Sequence, residues 1–194
     1  MEIKHRQLEI IEAAGDILTK TGLAGLTTKN LAAKMGFSES ALYRHFESKE
    51  EIVVMMLKYL AKDMDVRIEN TILNIESPQE KLKALFNSQF AFFKQKPHFL
   101  IAIFSDGLLE ASKEINKAIS NIMIITKKHL MRIVLDGQKQ KQFTNDLSVE
   151  DLVHIIMGSF RLHMLQWRMS GYSFDLKVKG NKLMSNLFTL MSPK

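Results

Sequence analysis

Apolar side chains recur at three- and four-residue spacing along most of the chain, a period that fits the α-helix. Leu8, Ile11, Ala14 and Leu18 form the first such stripe, and Leu183, Met184, Leu187, Phe188 and Met191 form the last. Only 3 prolines interrupt the 194 residues, and alternating apolar and polar residues never continue beyond a few positions. The pattern therefore predicts an all-α chain of about nine helices, without strands.

Capping residues and helix breakers give approximate bounds for these helices. The first helix stops at the C-cap position of Gly22, the second opens at an N-cap Thr27 and ends at Gly36, and the third runs from Ser38 to about Phe46. Two capping boxes, Ser48 with Glu51 and Ser77 with Glu80, and the helix-breaking Pro97 predict helices near 49–75 and 78–96. Further helices are expected within 99–109, 113–140, 149–170 and 176–191.

The absence of cysteine excludes a disulfide framework, thiolate catalysis and cysteine-bound zinc or iron–sulfur sites. No uncharged stretch is long enough to cross a bilayer, and the N-terminus is neither a secretory signal nor a transit peptide. We therefore expect a soluble intracellular protein with no membrane partner.

The formal charge of +6 permits a polyanionic partner without requiring one. Its distribution does not point to the N-terminal segment, because residues 1–47 carry six basic and six acidic side chains. A basic run after residue 126, including Lys127, Lys128 and Arg132, is more simply a solvated face than a second anion site.

Residues 26–46, LTTKNLAAKMGFSESALYRHF, place two short helices around a tight turn. Ala32 is small where the second helix must cross, Gly36 can take the positive φ of the turn, and Leu42 can fill the space between the helices. This spacing is the helix-turn-helix pattern, whose second helix enters the DNA major groove. Spacing alone leaves an ordinary helical hairpin as an equal alternative.

The same run, continued through ESKEEIV, resembles the signature of the TetR/AcrR family of bacterial transcriptional repressors. The resemblance implies a DNA-binding domain over 1–48 and a helical effector-binding and dimerisation domain over 49–194. It further implies a ligand-responsive regulator in the bacterial cytoplasm, at the nucleoid. Its expected partners are a palindromic double-stranded DNA operator, a second copy of the chain and a small-molecule effector.

The roles implied by the resemblance divide the candidate residues of the DNA-binding domain, called the head below, into two groups. Backbone phosphates would be contacted by Thr27, Thr28, Tyr43, His45 and Lys49, all of which can donate hydrogen bonds. Bases would be read by Lys29, Ser38, Glu39, Ser40 and Arg44. The alternative role for Tyr43, His45 and Lys49 is ordinary packing or solvation. Glu39 departs from what is expected of a DNA-reading helix, because its negative charge repels phosphate.

The larger half should supply the dimer surface and the effector site. The helix at 148–170 is apolar around most of its circumference, which suits burial on two faces, and with 176–191 it resembles the family's four-helix dimer interface. A well-buried helix of a monomer is the alternative. An effector pocket is expected to be lined by Phe86, Gln89, Phe90, Phe93, Phe104, Met123, Met157, Phe160 and His163, although such stripes are more often plain core.

Catalysis and metal binding have little support. The six histidines form no HExxH motif, and the chain has no nucleotide-binding or nucleophile-elbow motif, so we expect no catalytic residue, metal or cofactor. The strongest alternative to a DNA-binding regulator is a helical module of the same fold that senses a small molecule or a protein without acting through DNA. An apolar or amphipathic effector is expected in either case.

Overall fold

The computed structural model describes residues 4–104 and 112–193, apart from the side chain of Leu23. Within this part of the chain there are nine α-helices and no strand, as predicted, and no helix is long and apolar enough to span a membrane. The helices are α1 (His5–Gly25), α2 (Thr28–Met35), α3 (Glu39–Leu42), α4 (Lys49–Ile72), α5 (Pro78–Gln95), α6 (His98–Ile103), α7 (Lys113–Lys139), α8 (Val149–Met169) and α9 (Leu176–Met191).

Predicted caps account for four of the nine helix starts in the described chain. Thr27, Ser48, Ser77 and Ser148 each accept a hydrogen bond from the backbone N–H three residues on, at 3.1–3.4 Å. These bonds satisfy donors that a helix N-terminus otherwise leaves without partners. α2, α4, α5 and α8 therefore begin where the sequence predicts. α7 and α9 also begin at the predicted residues, although their caps, Ser112 and Asp175, were not predicted, and α9 ends as predicted.

Three helix ends differ from the prediction by three residues or more. α4 ends at Ile72 rather than near residue 75. Gly22 takes a positive φ of 66°, as its predicted C-cap role requires, but the chain resumes helical geometry beyond this kink and α1 continues to Gly25. The third helix is shorter than Ser38–Phe46, because α3 ends at Leu42 and His45 N–H bonds to the carbonyl of Leu42, three residues back. Tighter i to i+3 turns thus replace the last predicted helical turn. The predicted helix within 99–109 is seen as α6 up to Ile103, and its positions 105–109 lie outside the described residues.

The described residues group into two compact units, one from 4–63 with 96–104 and 112–122, and one from 64–95 with 123–193. In the first unit, α1 packs against α2 and α6, and α2 packs against α3. In the second unit, α9 packs against α5 and α8. The predicted division at residue 48 remains a prediction.

In the second unit, α9 and α5 approach each other closely at Gly180. A Cβ atom placed on Gly180 of α9 would lie 2.4 Å from the ring of Phe90, which is itself fully buried. Real carbon atoms do not approach so closely, so only glycine fits this crossing. The close approach allows the aromatic side chains of α5 to pack directly on the backbone of α9.

Ion pairs join α4 to α7 within the second unit. Arg132 donates to both carboxylate oxygens of Glu69 at 3.2 and 2.9 Å, while Lys128 and His129 both contact Oδ1 of Asp65. The hydrogen bonds from Lys128 and His129 hold the pKa of Asp65 below its usual value. Part of the basic run therefore pairs with acids of this chain and is less available to an outside anion.

His98 is buried at the start of α6, against α1. A Cβ on Gly15 would lie 2.8 Å from its ring, and its Nε2 atom has no hydrogen-bond partner. Burial lowers the pKa of His98 below 6.5, and this outweighs the opposing charges of Glu12 and Asp16. The ring is therefore neutral in the folded protein at neutral pH.

We expect the free energy of unfolding to fall as the pH drops from 7.5 to 5.5. The unfolded chain protonates His98 near its ordinary pKa of 6.5, whereas the folded chain resists protonation, so acid favours unfolding. Urea unfolding at the two pH values measures this loss, and His98→Phe should reduce it. An undiminished loss in the variant would contradict the assignment.

Candidate nucleic-acid interface and effector site

α2 and α3 form a helix-turn-helix in the first unit. Gly36 ends α2 with a φ of 67°, and the N–H of the following Phe37 bonds back to the carbonyl of Ala32 at 2.9 Å. Ser38 then caps α3 by accepting from the N–H of Ala41. Ala32 and Leu42 are both buried, as the predicted crossing requires.

The structure brings the predicted DNA-contacting residues together on this motif and at the start of α4. The exposed members are Thr27, Lys29, Ser38, Glu39, Ser40, Tyr43 and Arg44, and the half-buried members are Thr28, His45 and Lys49. Tyr43 keeps 50% of its surface exposed directly after α3. The surface can therefore present donors to a phosphate backbone without rearrangement of the core.

Some of these hydroxyls already have partners. Ser38 Oγ accepts from Ala41 N–H and lies 2.9 Å from Ser40 Oγ, and Thr27 Oγ1 accepts from Asn30 N–H. A capping hydroxyl can still donate its own proton, but its direction is constrained. Ser38 is consequently better suited to hold α3 than to read a base.

Glu39 is tied to the start of α2. The hydroxyl of Thr28 donates to the Glu39 carboxylate at 2.7 Å. A helix N-terminus attracts anions, so the carboxylate occupies a position that would also suit a DNA phosphate. The acid that sequence reasoning identified as a departure is therefore part of the local structure of the head.

We expect Glu39→Gln to raise the affinity for non-operator DNA by about 3- to 10-fold at low salt. Removing one negative charge near the phosphates removes about 1 kcal/mol of repulsion, and the amide can still accept from Thr28. Fluorescence anisotropy with a scrambled duplex measures the change. Glu47→Gln, an exposed acid outside the motif, is the control, and an equal gain there would show only a general charge effect.

Arg6 is a head residue that the sequence reasoning missed. Its guanidinium lies 4.8 Å from the ring centre of Phe37, in the turn between α2 and α3. The same guanidinium donates to the carboxylate of Glu9 on α1, so its charge is paired within the chain while the cation–π contact holds it beside the turn. Arg6 and Phe37 are far apart in sequence, and no spacing rule would have joined them.

The second unit brings four of the predicted pocket residues into one cluster. The ring of Phe160 lies 5.1 Å from Phe86 and 5.6 Å from Phe90, and the ring of His163 lies 5.8 Å from Phe90. Phe174, which was not predicted, contacts His163 at 5.5 Å. We call these five side chains the aromatic cluster.

Gln89 lies on the same buried stripe of α5 as Phe86 and Phe90. Its Oε1 atom accepts from Arg67 of α4 at 3.3 Å, and Arg67 also donates to Ser88. Arg67 was missed because nothing in the α4 sequence distinguishes it from a solvated arginine. It supplies a cation beside an otherwise apolar stripe.

The remaining pocket predictions are not brought into the cluster by any described contact. Phe93 is buried against Phe92, and Met157 is half-buried. Met123 is 47% exposed, and Phe104 belongs to the first unit. Roles for these four in a pocket remain predictions.

No group of three or more histidine, aspartate or glutamate side chains suited to a metal occurs among the residues that the structure describes. The geometry instead defines a class of protein: a helical DNA-binding regulator with a helix-turn-helix head and a larger helical unit. A family model for bacterial regulatory proteins of the tetR family matches residues 10–56, and one for the YsiA-like protein C-terminal region matches residues 58–191. The chain belongs to the TetR family and is a ligand-responsive transcriptional regulator rather than an enzyme.

Similar proteins include two from Bacillus subtilis (strain 168). The uncharacterized HTH-type transcriptional regulator YerO is 25% identical over 80% of this chain, which spans 56% of that relative's length. The fatty acid metabolism regulator protein is 21% identical over 95% of this chain and 94% of its own.

Two solved structures share the fold. The fatty acid degradation regulator FadR from Bacillus halodurans has a TM-score of 0.87 at 18% identity, covering 97% of both chains. FadR from Bacillus subtilis in complex with stearoyl-CoA has a TM-score of 0.81 at 22% identity, covering 95% of this chain and 98% of that one.

Proposed function

We propose that this regulator is a homodimeric repressor that leaves a palindromic operator when an apolar or amphipathic effector binds in its second unit. The observation that carries the proposal is the surface on and beside α3, where exposed side chains can donate hydrogen bonds to DNA. The same chain has the aromatic cluster on α5 and α8, where an effector could bind. Regulators of this kind work by coupling free energies of about 1–3 kcal/mol, enough to change DNA affinity 5- to 150-fold. Because the proposed operator is part of the bacterial chromosome, the protein would act at the nucleoid in the cytoplasm.

In this proposal the head, residues 1–48, has two kinds of DNA contact. Thr27, Thr28, Tyr43, His45 and Lys49 hold phosphates, and Lys29, Ser40 and Arg44 face the bases, with Ser38 and Glu39 shaping α3. Arg44 is exposed and can make a bidentate contact with guanine. Residues 49–194 form the effector and dimer domain.

A second copy of the chain is proposed to cover α8 and α9. Ile155, Leu162 and Met169 repeat every seven residues on one face of α8 and are all exposed, as are Val178 and Leu190 on α9. Gly158 lies on α8 with no heavy atom within 4 Å of an added Cβ, so a partner helix could approach it closely. Exposed apolar surface of this extent marks an association site.

We expect Leu162→Glu to convert the dimer to a monomer at micromolar concentration. Leu162 is 56% exposed at the centre of this face, and two symmetry-related carboxylates would meet there. Light scattering after size exclusion measures the mass. Ile124→Glu, an exposed isoleucine on α7, should leave the dimer intact, and a monomer from both variants would contradict the assignment of the interface.

We further propose a long-chain acyl thioester as the effector class. The structure of Bacillus subtilis FadR contains stearoyl-CoA, and the second unit of this chain buries phenylalanine rings on α5. Apolar side chains with a few polar groups are the usual lining of such sites.

Anisotropy of the full-length protein with its own upstream region, in a salt series, tests the proposal. Binding near 10⁻⁸ M or tighter, and at least 10³-fold tighter than to scrambled DNA, would support it, as would release by stearoyl-CoA. If the upstream region fails, selection from genomic fragments locates the operator. Failure of both would favour the alternative, a sensing module of the same fold that does not act through DNA.

A further inference from the structure

Among the described residues of the second unit, four buried polar atoms have no hydrogen-bond partner: Oδ1 of Asn87, Nε2 of Gln89, Nδ1 of His129 and Nε2 of His163. Two of them, Nε2 of Gln89, whose residue is 3% exposed, and Nε2 of His163, whose residue is 9% exposed, belong to residues beside or within the aromatic cluster. Buried polar groups are nearly always paired, and an unpaired one destabilises the fold. Such atoms are retained where something outside the chain completes them.

Both residues adjoin Phe90. Phe90 follows Gln89 on the buried stripe of α5, and its ring contacts His163 edge-on. Phe160 packs on the same ring from α8. A ligand that meets both residues would therefore lie beside the Phe90 ring.

The two atoms offer opposite hydrogen-bonding roles. Oε1 of Gln89 is already used by Arg67, so the free Nε2 is the amide donor. Burial lowers the pKa of His163, against a hydrogen bond with the backbone of Leu176 that raises it; because Nε2 has no partner, we assign that bond to Nδ1. The ring is thus neutral at pH 8, and its free Nε2 is an acceptor.

We propose that Gln89 and His163 recognise the junction of an acyl thioester, with Gln89 donating to the thioester carbonyl and His163 accepting from the amide N–H beyond the sulfur. The pantetheine arm places that N–H two carbons from the sulfur, so one uncharged segment carries both complementary groups. A free fatty acid offers no donor when ionised, and its charge would be desolvated among phenylalanine rings. The inference rests on the proposed effector class and assigns its polar contacts.

Three ten-carbon probes separate these contacts at equal chain length. S-decanoyl-N-acetylcysteamine has the carbonyl and the N–H, S-ethyl decanethioate has the carbonyl alone, and decanoate is charged. Trp167 is the only tryptophan and donates to the carbonyl of Phe174, whose ring contacts His163, so its fluorescence reports occupancy. At pH 8 we expect the first probe to bind at least 10-fold more tightly than decanoate and about 5-fold more tightly than the ethyl thioester.

Variants assign each contact. His163→Phe should remove the advantage of the N-acetylcysteamine probe over the ethyl thioester, and Gln89→Met should weaken both thioesters about 10-fold. Gln166→Met, an exposed glutamine on α8, is the matched control and should bind like the native protein. Thermal melting of each variant verifies folding, and His163→Phe alone tests the acceptor if Gln89→Met does not fold.

The outcomes separate this inference from the proposed function. Equal binding of decanoate and the thioesters, or unchanged binding in both variants, would overturn the inference even if stearoyl-CoA releases DNA. The expected preference without any release of operator DNA would uphold these contacts and overturn the repressor mechanism. Comparing decanoyl-CoA with a decanoyl carrier protein then shows which source of the thioester the site accepts.

Discussion

Gly180→Leu should destabilise the protein by about 3 kcal/mol or more and lower its melting temperature by about 6–12 °C. Even the first carbon of the new side chain would lie 2.4 Å from the Phe90 ring. That ring cannot move aside easily, because Phe86 and Phe160 pack around it and it is 1% exposed. The strain would therefore separate α9 from α5.

Thermal unfolding followed by circular dichroism measures this effect. Lys182→Leu inserts the same side chain two residues further along α9, at an exposed position, and should change the melting temperature by at most a degree or two. Similar melting temperatures for the two variants would show that α9 does not cross α5 at Gly180. Because Phe90 is in the aromatic cluster, Gly180→Leu should also weaken binding of the decanoyl probes.

Lys49→Ala and Arg44→Ala should both weaken operator binding by about 10- to 100-fold, but in different ways. Lys49, at the first position of α4, is expected to hold a phosphate. Its loss should weaken operator and scrambled DNA alike and reduce the salt slope by about one ion. Arg44, exposed beyond α3, should affect the operator alone if it reads a base.

The contrast is measured by anisotropy with both duplexes between 50 and 200 mM salt, which is the range over which phosphate contacts dominate affinity. Lys29→Ala tests a second proposed base contact, on α2, and should weaken binding to the operator alone. Lys20→Ala, at an exposed position on α1, is the control and should bind both duplexes like the native protein. If Lys49→Ala weakened binding to the operator but not to scrambled DNA, the phosphate role of Lys49 would be wrong. If Arg44→Ala weakened binding to both duplexes equally, the base-reading role of Arg44 would be wrong.

Local rules predicted the head well. The N-cap hydroxyl of Thr27, the positive φ of Gly36 and the buried Ala32 and Leu42 all follow from spacing within twenty residues, whereas the N-cap role of Ser38 was not predicted. The length of α3 did not follow, because a one-turn helix gives too few periodic positions to define its end. The bond from Thr28 to Glu39 joins residues on different helices, and only the fold shows it.

The effector half was less predictable. Aromatic residues on α5 could be recognised as buried, and Phe86, Phe90, Phe160 and His163 do meet. Yet the same periodicity also included Met123, which is exposed on α7. A stripe says which face of a helix is apolar, but the neighbouring helix decides whether that face is covered.

The amino-acid sequence by itself determined the helical class and most helix starts, because these depend on residues close together in the chain. The helix-turn-helix and the regulator family followed only when the resemblance of this motif to the TetR/AcrR family was added to its spacing. Tertiary structure alone decided which buried polar atoms stay unpaired. It also decided that the Phe90 ring packs against the backbone at Gly180 and that Lys128 and Arg132 of α7 pair with acids of α4. Those contacts join residues about 60 to 90 positions apart, and packing density rather than local propensity selects them.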